Sequence, residues 1–546
     1  MHVRQRSSAA GALVEAPAWS ARARARFGAA LAALGAVALA LPACNREEQA
    51  SAEGIVSLSA GAQNEDDPAK IPRPDGPRIG AVQMVAPIHE KPDRRSPKVG
   101  YLRAGGTTVR AEKPVALDDC QGGWYRVLPA GYMCAEGDAT NDMKHPILRA
   151  LTRRPDLGKA MPYPYAFVRA IAPNYYRVPS KEEQFRYEMS LDRHLRSYKK
   201  SKEEWDAIKV GSNDVPLDAL GNAVGEPPAA PPSLTDNELF GGTGDDAIPW
   251  FFQGGRQIPN IASFKVPPYA VITNRIARKA GLALIGTFMG PNDRRLALTT
   301  DARLVPTSKL KPARGSTFHG VDMAKGWELP LAFVHKQGAR KYNLSLDEGE
   351  GLPWHAAIQL TGRSKFIKKT RVVEAKEGYW IKDTDVAIAV KPSELPFFAK
   401  GNTKWIDISI LSQVLVLYEG PKPVYATAVA TGRDGLGDPK ETYSTVRGTF
   451  RIREKHVTTT MDSHESGNKF ELRDVPWVQY FEAGYALHAA PWHDDYGKPR
   501  SHGCINLSPI DARRVFMWTD PPLPTEWHGV NANQSTGEGT LVHIHP

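Results

Sequence analysis

Cysteine is scarce in this chain: there are four in 546 residues, at positions 44, 120, 134 and 504. No two stand in a Cys-x-x-Cys spacing, which argues against a structural zinc site with paired ligands, and no metal or cofactor is expected. A spanning hydrophobic run is also lacking. The apolar stretch Phe27 to Leu41 is alanine-rich and shorter than the ~20 residues a bilayer helix needs. Charge of one sign never gathers in a block. The 70 Lys+Arg against 60 Asp+Glu give a net +10 spread along the chain, with no basic recognition helix, so nucleic acid is not an expected partner. Mild attraction to an anionic wall or membrane surface accounts for the surplus. The length exceeds what one core supports and suggests about three to five domains.

What the chain does have is His488 to Asn506, HAAPWHDDYGKPRSHGCIN, which sets one cysteine among histidines and glycine. A thiol is a poor nucleophile until a base or positive dipole takes its proton. His488 ends the strand-like run Tyr485-Ala486-Leu487, and Cys504 follows Ser501, His502 and Gly503. Gly503 lets backbone approach a carbonyl closely, and the amides of Gly503 and Cys504 are candidate oxyanion donors. Three other readings compete. A zinc half-site of His502, Cys504 and His488 or His493 lacks paired ligands. A buried core cysteine leaves its Ser, His and Gly neighbours unexplained. A papain-like peptidase would place cysteine before histidine.

The segment resembles the active-site signature of the L,D-transpeptidases (the YkuD family), in which a histidine precedes a Ser-His-Gly-Cys run. Ala490-Pro491-Trp492 and Asn506-Leu507-Ser508-Pro509 extend the likeness. The spacing from His488 to Ser501 is slightly shorter than in many members. The resemblance implies a peptidoglycan tetrapeptide as donor, attack by Cys504 on the carbonyl of its third residue, loss of D-alanine, and transfer to an amine that makes a 3-3 crosslink. It implies His488 as general base, oriented by a backbone carbonyl such as that of Ala489, with His502 shaping the turn. Around them, Trp492 is expected as a pocket wall, Arg500 as a partner for a substrate carboxylate, and Ser501 and Asn506 as holders of substrate or loop. Thr460 to Phe470 resembles the family's flap, with Phe470 as its aromatic lid residue. Two alternatives stay open: a hydrolase on the same scaffold that cleaves crosslinks or lipoprotein attachments, and a non-catalytic wall-binding lipoprotein.

Arg22, Arg24 and Arg26 precede the run to Leu41, and Leu41-Pro42-Ala43-Cys44 resembles a bacterial lipobox. Residues 1–43 are therefore expected as a lipoprotein signal, and Cys44 as the lipidated first residue of the mature chain. Asn45 in place of an aspartate favours the outer membrane, facing the periplasm, where cell-envelope proteins are potential partners. With Cys44 and Cys504 so assigned, Cys120 and Cys134 remain as a disulfide pair of an exported domain.

The expected fold class is mainly β and multidomain, with a β-sandwich at the C-terminus. Residues 44–77 read as a flexible tether. Residues 78–142 resemble a bacterial SH3-like barrel through Ala86-Pro87-Ile88, Val99-Gly100-Tyr101-Leu102 and Gly131-Tyr132-Met133-Cys134. Residues 143–224 read as a helical spacer with capping boxes at Ser180–Glu183 and Ser201–Glu204. Residues 225–250 read as a proline-rich linker or loop, and 251–402 as a β-rich region with further SH3-like character. The catalytic domain is expected over 403–546, opening on the alternating strand Trp405 to Ser409.

Overall fold

The computed structural model of the chain describes residues 67–546, apart from 201–216, 219–222, 224–239, 243–245, 258–260, 262–265, 314 and 463–470. The signal, Cys44, most of the tether, the second capping box, the Gly225–Pro232 run and Phe470 lie outside the described residues. Among the described residues no helix is long and apolar enough to cross a membrane. The fold is mostly β.

At the C-terminal end two sheets share one core. The first uses β1 (Lys404–Ser409), β2 (Val414–Glu419), β3 (Lys422–Ala428), β4 (Gly448–Arg451) and the last strand of the chain, Leu541–His545. That last strand runs parallel to β1 and antiparallel to β4. The second sheet uses β5 (Glu454–Asp462), β6 (Glu471–Glu482), β7 (Tyr485–Ala489) and β8 (Ile505–Leu507). Ile406, Ile408, Leu415 and Leu417 of the first sheet meet Val457, Trp477, Leu487 and Ile505 of the second. Helix α1 (Pro509–Trp518) adds Val515 and Phe516 to the same core. The opposite face of β1 and β2 is covered too. Trp405, Val416 and Tyr418 pack with Leu331, Phe333 and Ala389 of an upstream unit. Burial on both faces explains why β2 reads as a continuous apolar run and not as an alternation.

Three upstream β units adjoin this core. In the first, Lys98–Leu102 pairs with the short strand Gly529–Asn531, which itself pairs with β5, so the second C-terminal sheet continues into the N-terminal unit. Gly100 permits that approach, because a Cβ there would come within 2.4 Å of the Trp527 ring. Cys120 and Cys134 form a disulfide beside the buried Trp124. The second unit is split. Tyr165–Val168 and Ala172–Tyr175 pair with Gly281–Gly290 and Ile272–Ile276, and the helices Lys181–Tyr187 and Leu191–Lys200 lie between the halves in sequence. The stretch read as a helical spacer thus also supplies strands, whose partners come about a hundred residues later. The third unit is a seven-stranded sheet spanning Leu331 to Ala389.

Asp474, at a positive φ of 56° within β6, joins several of these pieces. Its carboxylate accepts from Arg103 of the first unit, Thr300 of the second and Thr458 of β5.

Lys455 on β5 is fully buried, donating to the carbonyls of Thr519 at 2.6 Å and Pro521 at 2.9 Å. Burial pulls its pKa down to about 7 from an ordinary 10.5, with Asp520 partly offsetting the fall. Between those values unfolding takes up a proton, so stability rises with pH across that window, by several kcal/mol in full. Melting temperature against pH should therefore climb from 7 towards 10.5 in the wild type, and the climb should shrink in Lys455→Met. Equal slopes in the two proteins would contradict the lowered pKa of the buried Lys455.

Candidate active site

β7 and β8 run parallel, with Leu487 opposite Ile505, His488 opposite Asn506 and Ala489 opposite Leu507. Side chains alternate across a strand. Leu487, Ala489, Ile505 and Leu507 enter the shared core, which turns Ala486, His488 and Asn506 to the other face. Cys504 immediately precedes β8 and keeps that alternation, so it lies on the same face as His488. The core pattern itself sets His488 and Cys504 on one face of the paired strands.

His488 is buried, and its Nδ1 lies 2.9 Å from the carbonyl of Ala489. A carbonyl only accepts, so Nδ1 carries the proton and Nε2 keeps its lone pair. Burial lowers the His488 pKa to about 4, which keeps the ring neutral at pH 7. Cys504 is half-buried against Val475, Val478 and Ala486, with Trp492 and Tyr480 packed on the same cluster. This apolar setting pushes its thiol up to about 11, with a backbone hydrogen bond from Ala486 pulling the other way. The thiol donates to the carbonyl of Gly484 at 3.6 Å. At neutral pH Cys504 is thus a thiol and His488 a neutral imidazole.

The Ser501–Cys504 turn is tied from within. Ser501 Oγ accepts from Gly503 N–H at 3.0 Å and donates to the Cys504 carbonyl. Gly503 has φ +122°, and a Cβ there would meet the Tyr485 ring at 2.8 Å. Thr445 Oγ1 donates to the Gly503 carbonyl at 2.8 Å. In this structure Gly503 N–H is donated to Ser501 Oγ, and Gly503 also contributes its left-handed conformation and its lack of a side chain.

Asn506 and His493 form a buried pair, the Asn506 side-chain amide lying 3.0 Å from His493 Nε2, while Asp495 N–H donates to His493 Nδ1. With Nδ1 accepting, Nε2 carries the proton in the neutral ring, and the Asn506 amide is best turned so that its oxygen receives it. Burial, with Arg500 and His488 nearby, lowers the His493 pKa to about 3. Asn506 thereby holds the loop between the two halves of the motif, a partnership that no spacing in the sequence announces. Backbone bonds between Asn506 and Ala430 at 2.9 and 3.0 Å fasten the other edge of β8.

The remaining expected residues fall into two groups. Trp492 stands 5.7 Å from the His488 ring, centroid to centroid, and packs on the same apolar cluster as Cys504. Arg500 pairs with Asp495 on the same loop, so its charge is already matched. His502 is exposed, turned edge-on to Tyr443 at 4.7 Å, and Arg433 lies over that ring at 4.0 Å. Tyr443 and Thr445 were not singled out from sequence, since they come from the loop before β4. Behind the site, Ser508 caps α1 and Asp511 takes four donors, from Gly320, Tyr425, Thr427 and Ser508.

Comparison with known proteins places this site in context. A Bacillus subtilis protein named for L,D-transpeptidase activity, YciB, is 26% identical over 124 residues, which cover 20% of this chain and 59% of that one. The chain thus spans about three-fifths of the length of the curated relative it matches. Among solved structures, an L,D-transpeptidase from Xylanimonas cellulosilytica is 20% identical, with 29% of this chain and 64% of that one covered and a TM-score of 0.20. The catalytic domain of the E. faecium L,D-transpeptidase is also 20% identical, covering 26% of this chain and 98% of its own, with a TM-score of 0.20. Residues 403–544, which carry His488, Cys504 and the strands that present them, match the family model of the L,D-transpeptidase (YkuD) catalytic domain.

Proposed function

We propose that this chain is a peptidoglycan L,D-transpeptidase that makes 3-3 crosslinks through an acyl-enzyme on Cys504. The observation that carries this reading is the tautomer of His488. Its Nδ1–H is committed to the Ala489 carbonyl, so Nε2 is available as a base on the face that presents Cys504. In the first step the Cys504 sulfur bonds to the carbonyl carbon of the donor's third residue while its proton passes to His488. The imidazolium then returns that proton to the departing D-alanine nitrogen as the amide bond breaks. An acceptor amine on a neighbouring stem attacks the thioester, releasing the thiol. With Gly503 N–H occupied, the amide of Cys504 itself is the remaining donor of that pair for the oxyanion, a contribution of about 3 kcal/mol. The apolar wall of Trp492 and Val475 limits water at the thioester, which favours transfer over hydrolysis.

Upstream, the same reading makes Cys44 a lipid anchor that holds the chain at the outer membrane, facing the periplasm. The SH3-like unit of residues 78–142 would then meet the wall.

Incubation of the protein with disaccharide-tetrapeptide should yield crosslinked dimers and free D-alanine, identified by mass spectrometry. Tripeptide without dimer would make the enzyme a hydrolase and overturn the transferase assignment.

A further inference from the structure

The loop that carries His493 also walls a second cavity, away from the thiol cluster. This cleft, of about 510 Å³, is lined by Trp327, Trp354, His319, His355, Tyr425 and Asp494, among others. Its volume falls within the ~300–1,000 Å³ usual for small-molecule sites. The floor is rigid: Tyr496 of the same loop stacks on Phe318 at 5.5 Å, and Gly497 lies so close to His335 that a Cβ would come within 2.6 Å. A ligand in the cleft therefore touches a loop that the third β unit clamps in place.

The lining indicates what kind of ligand fits. Trp327 and Trp354 are half-buried, so each offers part of its ring as an apolar surface. The Asp494 side chain is 40% exposed, so its carboxylate offers the cleft an accepting oxygen, while Oδ1 itself is buried without a hydrogen-bond partner. His355 Nδ1 stands 3.8 Å from it, beyond hydrogen-bonding reach. Lys325 is the one lysine or arginine of the lining, which also holds Asp322 and Asp494, so no excess of cations is present to attract an anionic peptide. Ring surfaces with an open acceptor, and no anion-binding charge, suit an uncharged ligand with apolar ring faces and hydroxyl or amide donors at its edges.

We propose that this cleft is a saccharide-binding site for a segment of glycan strand built from N-acetylated amino sugars. The choice of that polymer rests on the peptidoglycan reading above, whereas the chemistry of the cleft requires only a neutral sugar chain. Stacking of a pyranose face on Trp327 or Trp354, with a hydroxyl or acetamido N–H donating to Asp494, satisfies both features at once. The cleft would then hold the sugar backbone while the stem peptide is worked on elsewhere in the chain.

The test uses the full chain carrying Cys504→Ala, so that binding is read without turnover, and the N-acetylglucosamine tetramer as probe. Calorimetric titration should give saturable binding, weakened at least tenfold by Trp327→Ala and by Asp494→Asn, each checked for an unchanged circular dichroism spectrum. In the active protein, Trp327→Ala should raise KM for disaccharide-tetrapeptide severalfold and leave turnover of the free tetrapeptide unchanged. Absence of binding at millimolar tetramer, or binding untouched by both substitutions, would overturn the proposal. Tetramer binding in a protein inactive on every stem peptide would uphold the cleft and remove the transpeptidase reading alone.

Discussion

Cys504→Ala should abolish crosslinking, with a loss on the order of 10⁶-fold, because no other group on that face can form the covalent intermediate. Among the described residues Cys504 is the one free cysteine, since Cys120 and Cys134 are joined. The fold should survive. The side chain is half-buried at the margin of a small cluster, and losing its sulfur should cost about 1 kcal/mol or less. Intact-protein mass spectrometry after brief exposure to donor should show a thioester adduct in the wild type and none in the variant. Full crosslinking by Cys504→Ala would end the assignment of the nucleophile.

His488→Ala should cost about 10²–10⁴-fold in kcat/KM, the usual range for a positioned general base. The pH profile separates a base from a structural residue. Wild-type activity should rise through about pH 4, where the buried imidazole loses its proton, and run level well past neutrality, because the thiol holds its own proton to about 11. In His488→Ala the residual activity should depend on spontaneous thiolate. It should climb roughly tenfold per pH unit towards about 11. His502→Ala should keep the wild-type profile, since that ring is exposed beside Tyr443. A flat wild-type profile preserved in His488→Ala but lost in His502→Ala would move the base to His502.

Much of the site was legible because its chemistry is written in consecutive residues. Ser501 to Cys504 and the strand ending at His488 need only the parallel pairing of β7 and β8 to meet, and the apolar residues alternating with them dictate that pairing. The β-rich character upstream was readable from short apolar runs between turn signals. Less visible was anything settled by distant partners. Tyr165–Val168 and Ala172–Tyr175 are short, sit in a region of strong helix signals, and become strands by joining residues 272–290. The occupation of Gly503 N–H by Ser501 depends on the turn's conformation, and the same residues in another turn would leave that amide open. His493 gains its role from Asn506, thirteen residues on, once both are buried together.

The strand Lys98–Leu102 hydrogen-bonds to Gly529–Asn531, and Asn531 reaches back to the Lys98 carbonyl across 433 residues. In a chain made from its N-terminus, the early partner emerges long before the late one exists. Until residues 527–531 arrive, the first unit exposes an open strand edge and the Trp527 contact is missing, a condition that invites wrong pairing. The sheet that holds β5 therefore closes onto the first unit only after Gly529–Asn531 has been made, hundreds of residues after Lys98–Leu102, which makes its assembly slow by topology. An enzyme so built stays without its finished active-site scaffold while it is being made.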